Sequence, residues 1–178
     1  RDELAVACGP WRAYDVRILA GEGDGLRIAA RRRIGHVRAL ASLRGVDGAT
    51  LLAITKDNAA SSKQAFAPDQ PHGEPPGLYV VRRVGSALET VYYAPLPAPA
   101  GIEDAGHVRW LASGDLDGDG RDDLVARYEA PTSSPMRDFV TLLVWRQLAD
   151  GSFAEGHLGH VVPHVIGNFD EDPAAELL

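Results

Sequence analysis

The sequence predicts an all-β chain of repeated antiparallel units, and three observations carry that prediction. The first is an almost literal recurrence. Gly35-His36-Val37-Arg38-Ala39-Leu40-Ala41-Ser42 returns as Gly106-His107-Val108-Arg109-Trp110-Leu111-Ala112-Ser113, and Gly159-His160-Val161 opens a weaker third copy. A self-similar period of a few tens of residues marks a repeat architecture. The second is that each copy runs into a glycine-containing loop. The third is that pairs of strand-forming runs around turn residues lie between those loops, as hairpins require.

Taken in chain order, the elements follow from these signals. Arg1-Asp2-Glu3-Leu4-Ala5-Val6 matches Arg121-Asp122-Asp123-Leu124-Val125-Ala126 in type, which predicts a strand equivalent to the one behind the acidic loop. Tyr14 to Ala20 and Leu26 to Arg32 flank Gly21-Glu22-Gly23-Asp24-Gly25. Leu78 to Val84 and Leu88 to Tyr93 flank Gly85-Ser86-Ala87, and Phe139 to Leu148 and Phe153 to His157 flank Asp150-Gly151. These are three predicted hairpins. The spacing from His36 to His107 exceeds that from His107 to His160, so the middle unit carries an insertion. Lys56 to Gly77, crowded with Ser, Asn, Pro and Gly and lacking apolar periodicity, is its expected place.

The chemistry concentrates in Gly114-Asp115-Leu116-Asp117-Gly118-Asp119-Gly120-Arg121-Asp122-Asp123-Leu124. Carboxylates at alternate positions around glycines suit a hard cation that takes six to eight oxygens at about 2.3–2.6 Å. Asp115, Asp117, Asp119 and Asp123 are the candidate side-chain ligands, with the backbone carbonyl of Arg121. Gly118 and Gly120 permit the sharp turn. An EF-hand would need a bidentate Glu at the twelfth position and a helix behind it. The twelfth residue from Asp115 is Ala126, and the apolar run Leu124 to Tyr128, closed by Ala130-Pro131-Thr132-Ser133-Ser134-Pro135, suits a buried strand.

An acidic loop of this kind with a strand behind it resembles the FG-GAP/VCBS repeats of integrin-α-like β-propellers. The resemblance covers most of the chain and implies β-propeller blades. It implies repeat units of approximately 1–38, 39–108, 109–163 and 164–178, with an insertion loop at 56–77. Propellers close with about four to eight blades. The sequence holds about three consecutive antiparallel blades bounded by two cut repeats, so a larger or oligomer-completed propeller is expected.

The other two loops depart from the acidic pattern. Leu43 to Thr50 reads as two residues shorter, with Arg44 and Val46 where carboxylates are needed, and is expected to bind no calcium. The last loop keeps oxygen side chains at Asn168, Asp170, Asp172 and Glu176, with the carbonyl of Ala174, as a candidate second calcium site. Pro173 stands at the position of Gly120 there, and fixes φ near about −65°.

Composition narrows the function classes. The chain has 178 residues, 45% of them apolar, and a formal charge of −7. That balance argues against a nucleic-acid partner and agrees with cation binding. No apolar run reaches the roughly 18 residues of a membrane span. Arg31-Arg32-Arg33 reads as a solvated strand end. Cys8 is the single cysteine, so no internal disulfide can form. Weak calcium loops fill where the ion is abundant, which places the protein outside the cytoplasm: secreted, periplasmic or at the cell surface.

His157, His160 and His164 lie close together, yet His160 holds the repeat position of His36 and His107, which favours packing over a transition-metal site. Trp110 and Trp145 sit inside apolar runs and are expected in the core, whereas Trp11, beside Pro10, is the best candidate for an exposed stacking surface. No nucleophile elbow, zinc-protease helix or phosphate loop is present, so no catalytic residue is assigned. The leading expectation is a calcium-stabilised binding propeller with a protein or cell-surface glycan ligand. The alternatives are a propeller within a secreted hydrolase or polysaccharide lyase, and a structural subunit of an assembly that gains blades from the same or another chain.

Overall fold

The hairpins turn where the sequence supplies glycine. Gly23, Gly85 and Gly151 lie in the left-handed region, with φ of 62°, 60° and 83°. A side chain there would meet its own backbone, which is why this residue occupies such turns. The computed structural model describes residues 3–8, 15–56, 74–97, 107–130, 139–158, 166–167 and 176–177. These residues are all-β, with no helix among them.

Among the described residues thirteen strands follow in order: β1 Glu3–Cys8, β2 Asp15–Glu22, β3 Gly25–Arg33, β4 Val37–Arg44, β5 Thr50–Lys56, β6 Gly77–Val84, β7 Ala87–Pro95, β8 His107–Gly114, β9 Asp123–Ala130, β10 Phe139–Gln147, β11 Phe153–Leu158, β12 Ile166–Gly167 and β13 Glu176–Leu177. They pair as antiparallel meanders, the expected blades. β8 to β11 form a separate four-stranded sheet. β1–β3 and β4–β7 share a seven-stranded sheet of order β1-β2-β3-β7-β6-β5-β4. They join by one parallel bridge, Arg31 opposite Ala87, with the Arg31 N–H donating to the Ser86 carbonyl at 3.1 Å. This join curls two blades into a nearly closed, barrel-like sheet, which the sequence did not indicate. A cavity of about 280 Å³ lies between them, lined by Ala5, Ile18, Leu40, Leu52, Val81 and Leu88 among others.

The near-literal repeat is repeated in backbone detail. In β4 the pairing with β5 skips Arg38, and in β8 the pairing with β9 skips Arg109. Each copy therefore carries a β-bulge at its arginine, a feature that bends a strand and strengthens its twist.

Packing between blades explains why the middle strands read as unbroken apolar runs. Leu51, Ala53, Leu78 and Val80 face the third blade, where they join Val108, Leu111, Leu124, Ala126, Tyr128, Leu143, Trp145 and Phe153. Their neighbours Leu52, Ile54, Tyr79 and Val81 face the first blade and join Val16, Ile18, Ala30 and Ile34. A sheet covered on both faces loses the apolar–polar alternation of a half-exposed one. Trp145 is buried in the core as expected, and Trp110 is partly buried against Val125, Leu142 and Val144. Trp11, His160 and His164 lie outside the described residues.

The expected insertion begins and ends at a paired position, since Lys56 stands opposite Gly77 in the β5–β6 ladder. Both residues belong to strands, so the excursion is narrower than the sequence implied. Residues 57–73 lie outside those described. Glu74 is salt-bridged to Arg32 at 2.6 Å, and the hydroxyls of Tyr79 and Tyr93 donate to the carbonyls of Pro75 and Pro76 at 2.5 and 2.9 Å.

Candidate metal centre

The acidic loop joins β8 to β9 and closes on the pair Gly114 opposite Asp123. Gly118 and Gly120 take φ of 74° and 84°, so the chain turns in the left-handed region twice within the loop. The turn is held from inside. Asp115 accepts the N–H of Asp119 through Oδ1 at 3.0 Å and that of Gly120 through Oδ2 at 2.7 Å, and Asp119 Oδ1 accepts the Arg121 N–H at 2.9 Å.

These contacts bring Asp115, Asp117 and Asp119 together, with one carboxylate oxygen of each lying within 4.8 Å of the others. The spacing can be tested against the ion. Oxygens held at about 2.3–2.6 Å from one centre cannot be more than about 4.6–5.2 Å apart. The three fall inside that limit, and an all-carboxylate donor set is the hard chemistry that calcium prefers. The residues fit a calcium ion.

Asp123 is placed differently from the three. It is only 1% exposed, and its oxygens accept the N–H of Gln147 at 2.9 Å and of Leu116 at 3.2 Å. Burial raises its carboxyl above the ordinary carboxylate range, the charges of Asp117 and Asp119 push the same way, and the two N–H groups oppose them. Each carboxylate oxygen has two lone pairs, so these bonds leave acceptor capacity for a cation.

Arg121 enters as a side chain. Its Nε donates to the Gln147 carbonyl at 2.9 Å and its guanidinium pairs with Asp119. Arg146 stands 3.9 Å from Asp117. Two of the three clustered carboxylates thus have a cationic neighbour, which the spacing of acidic residues did not reveal. Arg146 lies far from the loop in sequence, and Arg121, although it falls within the alternating series, carries no sign in its position of which acid its side chain will face.

Asp122 points to the neighbouring blade. Its Oδ2 accepts the backbone N–H of Arg44 at 2.6 Å, and the Arg44 guanidinium donates to the Gly120 carbonyl at 3.2 Å. Gln147 Nε2 donates to the Arg44 carbonyl at 3.2 Å. Arg44 begins the shorter loop. The ladder sets Leu43 opposite Leu51, so that loop is one residue shorter than the acidic one rather than two, and Leu51 stands where Asp123 stands in the next blade.

For the last loop, Gly167 pairs with Glu176 as Gly114 pairs with Asp123. The backbone span therefore repeats with Glu176 at the position of Asp123. Asn168, Asp170, Asp172 and Ala174 lie outside the described residues.

Comparison with known proteins bears on one stretch. Residues 107–132, which comprise β8, the acidic loop and β9, match the FG-GAP repeat family. No curated protein and no solved structure matches the chain.

Proposed function

We propose, from the FG-GAP repeat at residues 107–132 as premise, that this chain is a calcium-stabilised β-propeller segment presenting a binding surface outside the cytoplasm. The observation that carries the metal assignment is the convergence of Asp115, Asp117 and Asp119 oxygens within 4.8 Å. Asp123 and the Arg121 carbonyl complete the proposed set. When bound, calcium supplies positive charge that ties the loop ahead of β9 to one geometry. A ligand that binds only the folded state adds to its stability. Asn168, Asp170, Asp172, Glu176 and the carbonyl of Ala174 are proposed as a second site on the same plan.

The partner class is a protein or a cell-surface glycan, with further blades supplied by the same or another chain and repeat units of approximately 1–38, 39–108, 109–163 and 164–178. The excess of acidic residues supports a location rich in calcium, whether secreted, periplasmic or at the cell surface. No helix among the described residues is long and apolar enough to cross a membrane.

Thermal unfolding at increasing calcium tests the reading. The midpoint should climb with the logarithm of free calcium, reaching about 2.7 kcal/mol of added stability at a hundredfold excess over the dissociation constant of one site. Asp117→Ala should remove most of that climb at the site. A flat response in the parent protein would leave an acidic turn with no metal role.

A further inference from the structure

The contacts of Arg44 lie on either side of the residue whose carbonyl is proposed as a ligand. Its guanidinium donates to the carbonyl of Gly120 and its backbone N–H to the carboxylate of Asp122, at 3.2 and 2.6 Å. Arg121 is between them. Arg44 is held in turn from the third blade, because Gln147 Nε2 donates to its carbonyl at 3.2 Å while the Gln147 N–H donates to Asp123. The Ser113 hydroxyl adds a bond to the Ser42 carbonyl across the same seam. Five hydrogen bonds thus connect the end of β4 with the end of β8, the acidic loop and the end of β10.

We infer that Arg44 is a positioning residue for the calcium loop, so that metal binding in the third blade and its docking on the second are energetically coupled. The inference rests on the calcium reading above. The short loop has lost carboxylates at its own ligand positions, and its first residue serves the site of the next blade. The physical basis is preorganisation. A flexible loop that must gather its ligands loses conformational freedom on binding, whereas one already fixed at Gly120 and Asp122 loses less and holds the ion more tightly. Coupling is reciprocal, so calcium must hold the Arg44 seam closed to the same extent that the seam favours calcium.

Calcium titration calorimetry on the whole chain, begun from the chelated protein, tests this with Arg44→Ala, Arg44→Lys and Asp122→Ala. Arg44→Ala should weaken calcium binding about fivefold to tenfold, and Arg44→Lys, which restores a charged donor for the Gly120 carbonyl, should recover part of the loss. Asp122→Ala, which removes the partner of the Arg44 N–H without touching a proposed ligand, should weaken binding in the same direction. Hydrogen exchange at the Arg44 amide gives a readout that does not depend on any variant folding: calcium should slow it in the parent. Unchanged affinity in folded Arg44→Ala, or an Arg44 amide indifferent to calcium, would overturn the coupling while leaving the metal site standing. Absence of calcium binding in the parent would overturn the site and the coupling together.

Discussion

Asp123 and Gln147 are joined across the β9–β10 pair by a hydrogen bond of 2.9 Å from the Gln147 N–H to Asp123 Oδ1. Both residues are buried, and Gln147 also reaches the neighbouring blade through its side chain. The last acidic residue of the loop is therefore part of the fold whether or not a metal is bound. Asp123→Ala strands the N–H groups of Gln147 and Leu116, and a buried donor left without a partner costs about 1–3 kcal/mol. The expected result is a loss of that size in urea unfolding in the presence of chelator, where Asp117→Ala should change little. Equal stability of the two variants without calcium would contradict the distinction.

Arg121 is expected to compete with calcium for Asp119 at the proposed site. Its guanidinium pairs with that carboxylate, so an incoming ion must share or displace it. An exposed ion pair contributes about 0.2–1 kcal/mol. Arg121→Ala keeps the backbone carbonyl and should bind calcium up to about fivefold more tightly, with a modest loss of stability in chelator. Titration calorimetry reads the first effect and urea unfolding the second; weaker binding would mean that the Arg121 side chain organises the loop.

Gly77 has no room for a side chain. A β-carbon there would collide with the Tyr93 ring and the Ala94 carbonyl. Gly77→Ala must push apart the β6–β7 pair or displace Tyr93 from its contact with Tyr79, where the rings stand 4.9 Å apart. Overpacking of this kind costs about 1–3 kcal/mol, to be read as a lower urea midpoint with an unchanged slope.

Tyr92 makes the fold sensitive to alkali. Burial, the nearby charge of Glu155 and the hydrogen bond to it push the phenol from 10.0 up to about 12. Because the folded value is the higher one, stability is complete below pH 10.0 and is lost as pH rises toward about 12. Tyr92→Phe keeps the ring beside Phe153, whose centroid is 4.8 Å away, and removes the ionisation. The variant should show a shallower fall in urea midpoint across that window. Burial raises Tyr79 as well, so the fall should shrink without vanishing.

The parts of the molecule that announced themselves in the sequence are those with a local cause. Glycines at 23, 85 and 151 mark turns because few other residues accept that backbone, and Asp115, Asp117 and Asp119 converge because alternate residues of one short loop can face one point. The duplicated arginine bulges show that a repeated sequence repeats even its irregularity. What stayed hidden is non-local. Arg44 meets Gly120 across 76 residues and Gln147 meets Arg44 across 103, and no periodicity encodes such partners. The burial of Asp123 against backbone N–H groups was hidden too, because spacing alone cannot tell an exposed carboxylate from a buried one. The short loop reads as two residues shorter in sequence and is one residue shorter in the structure, because the ladder sets Leu43 opposite Leu51 and so aligns Leu51, not Leu52, with Asp123.

The pairing of Lys56 with Gly77 also bears on how this molecule could acquire new sequence. Since the chain departs and rejoins at facing rungs of one ladder, the length between them is decoupled from the register of every strand. Closing a longer connection costs only about 0.6 kcal/mol for each doubling. The Glu74, Pro75 and Pro76 contacts fasten the returning side just before β6 begins. Evolution could therefore change the length of this connection without altering the register of any strand, and a protein engineer could graft a foreign epitope or a reporter at the same place.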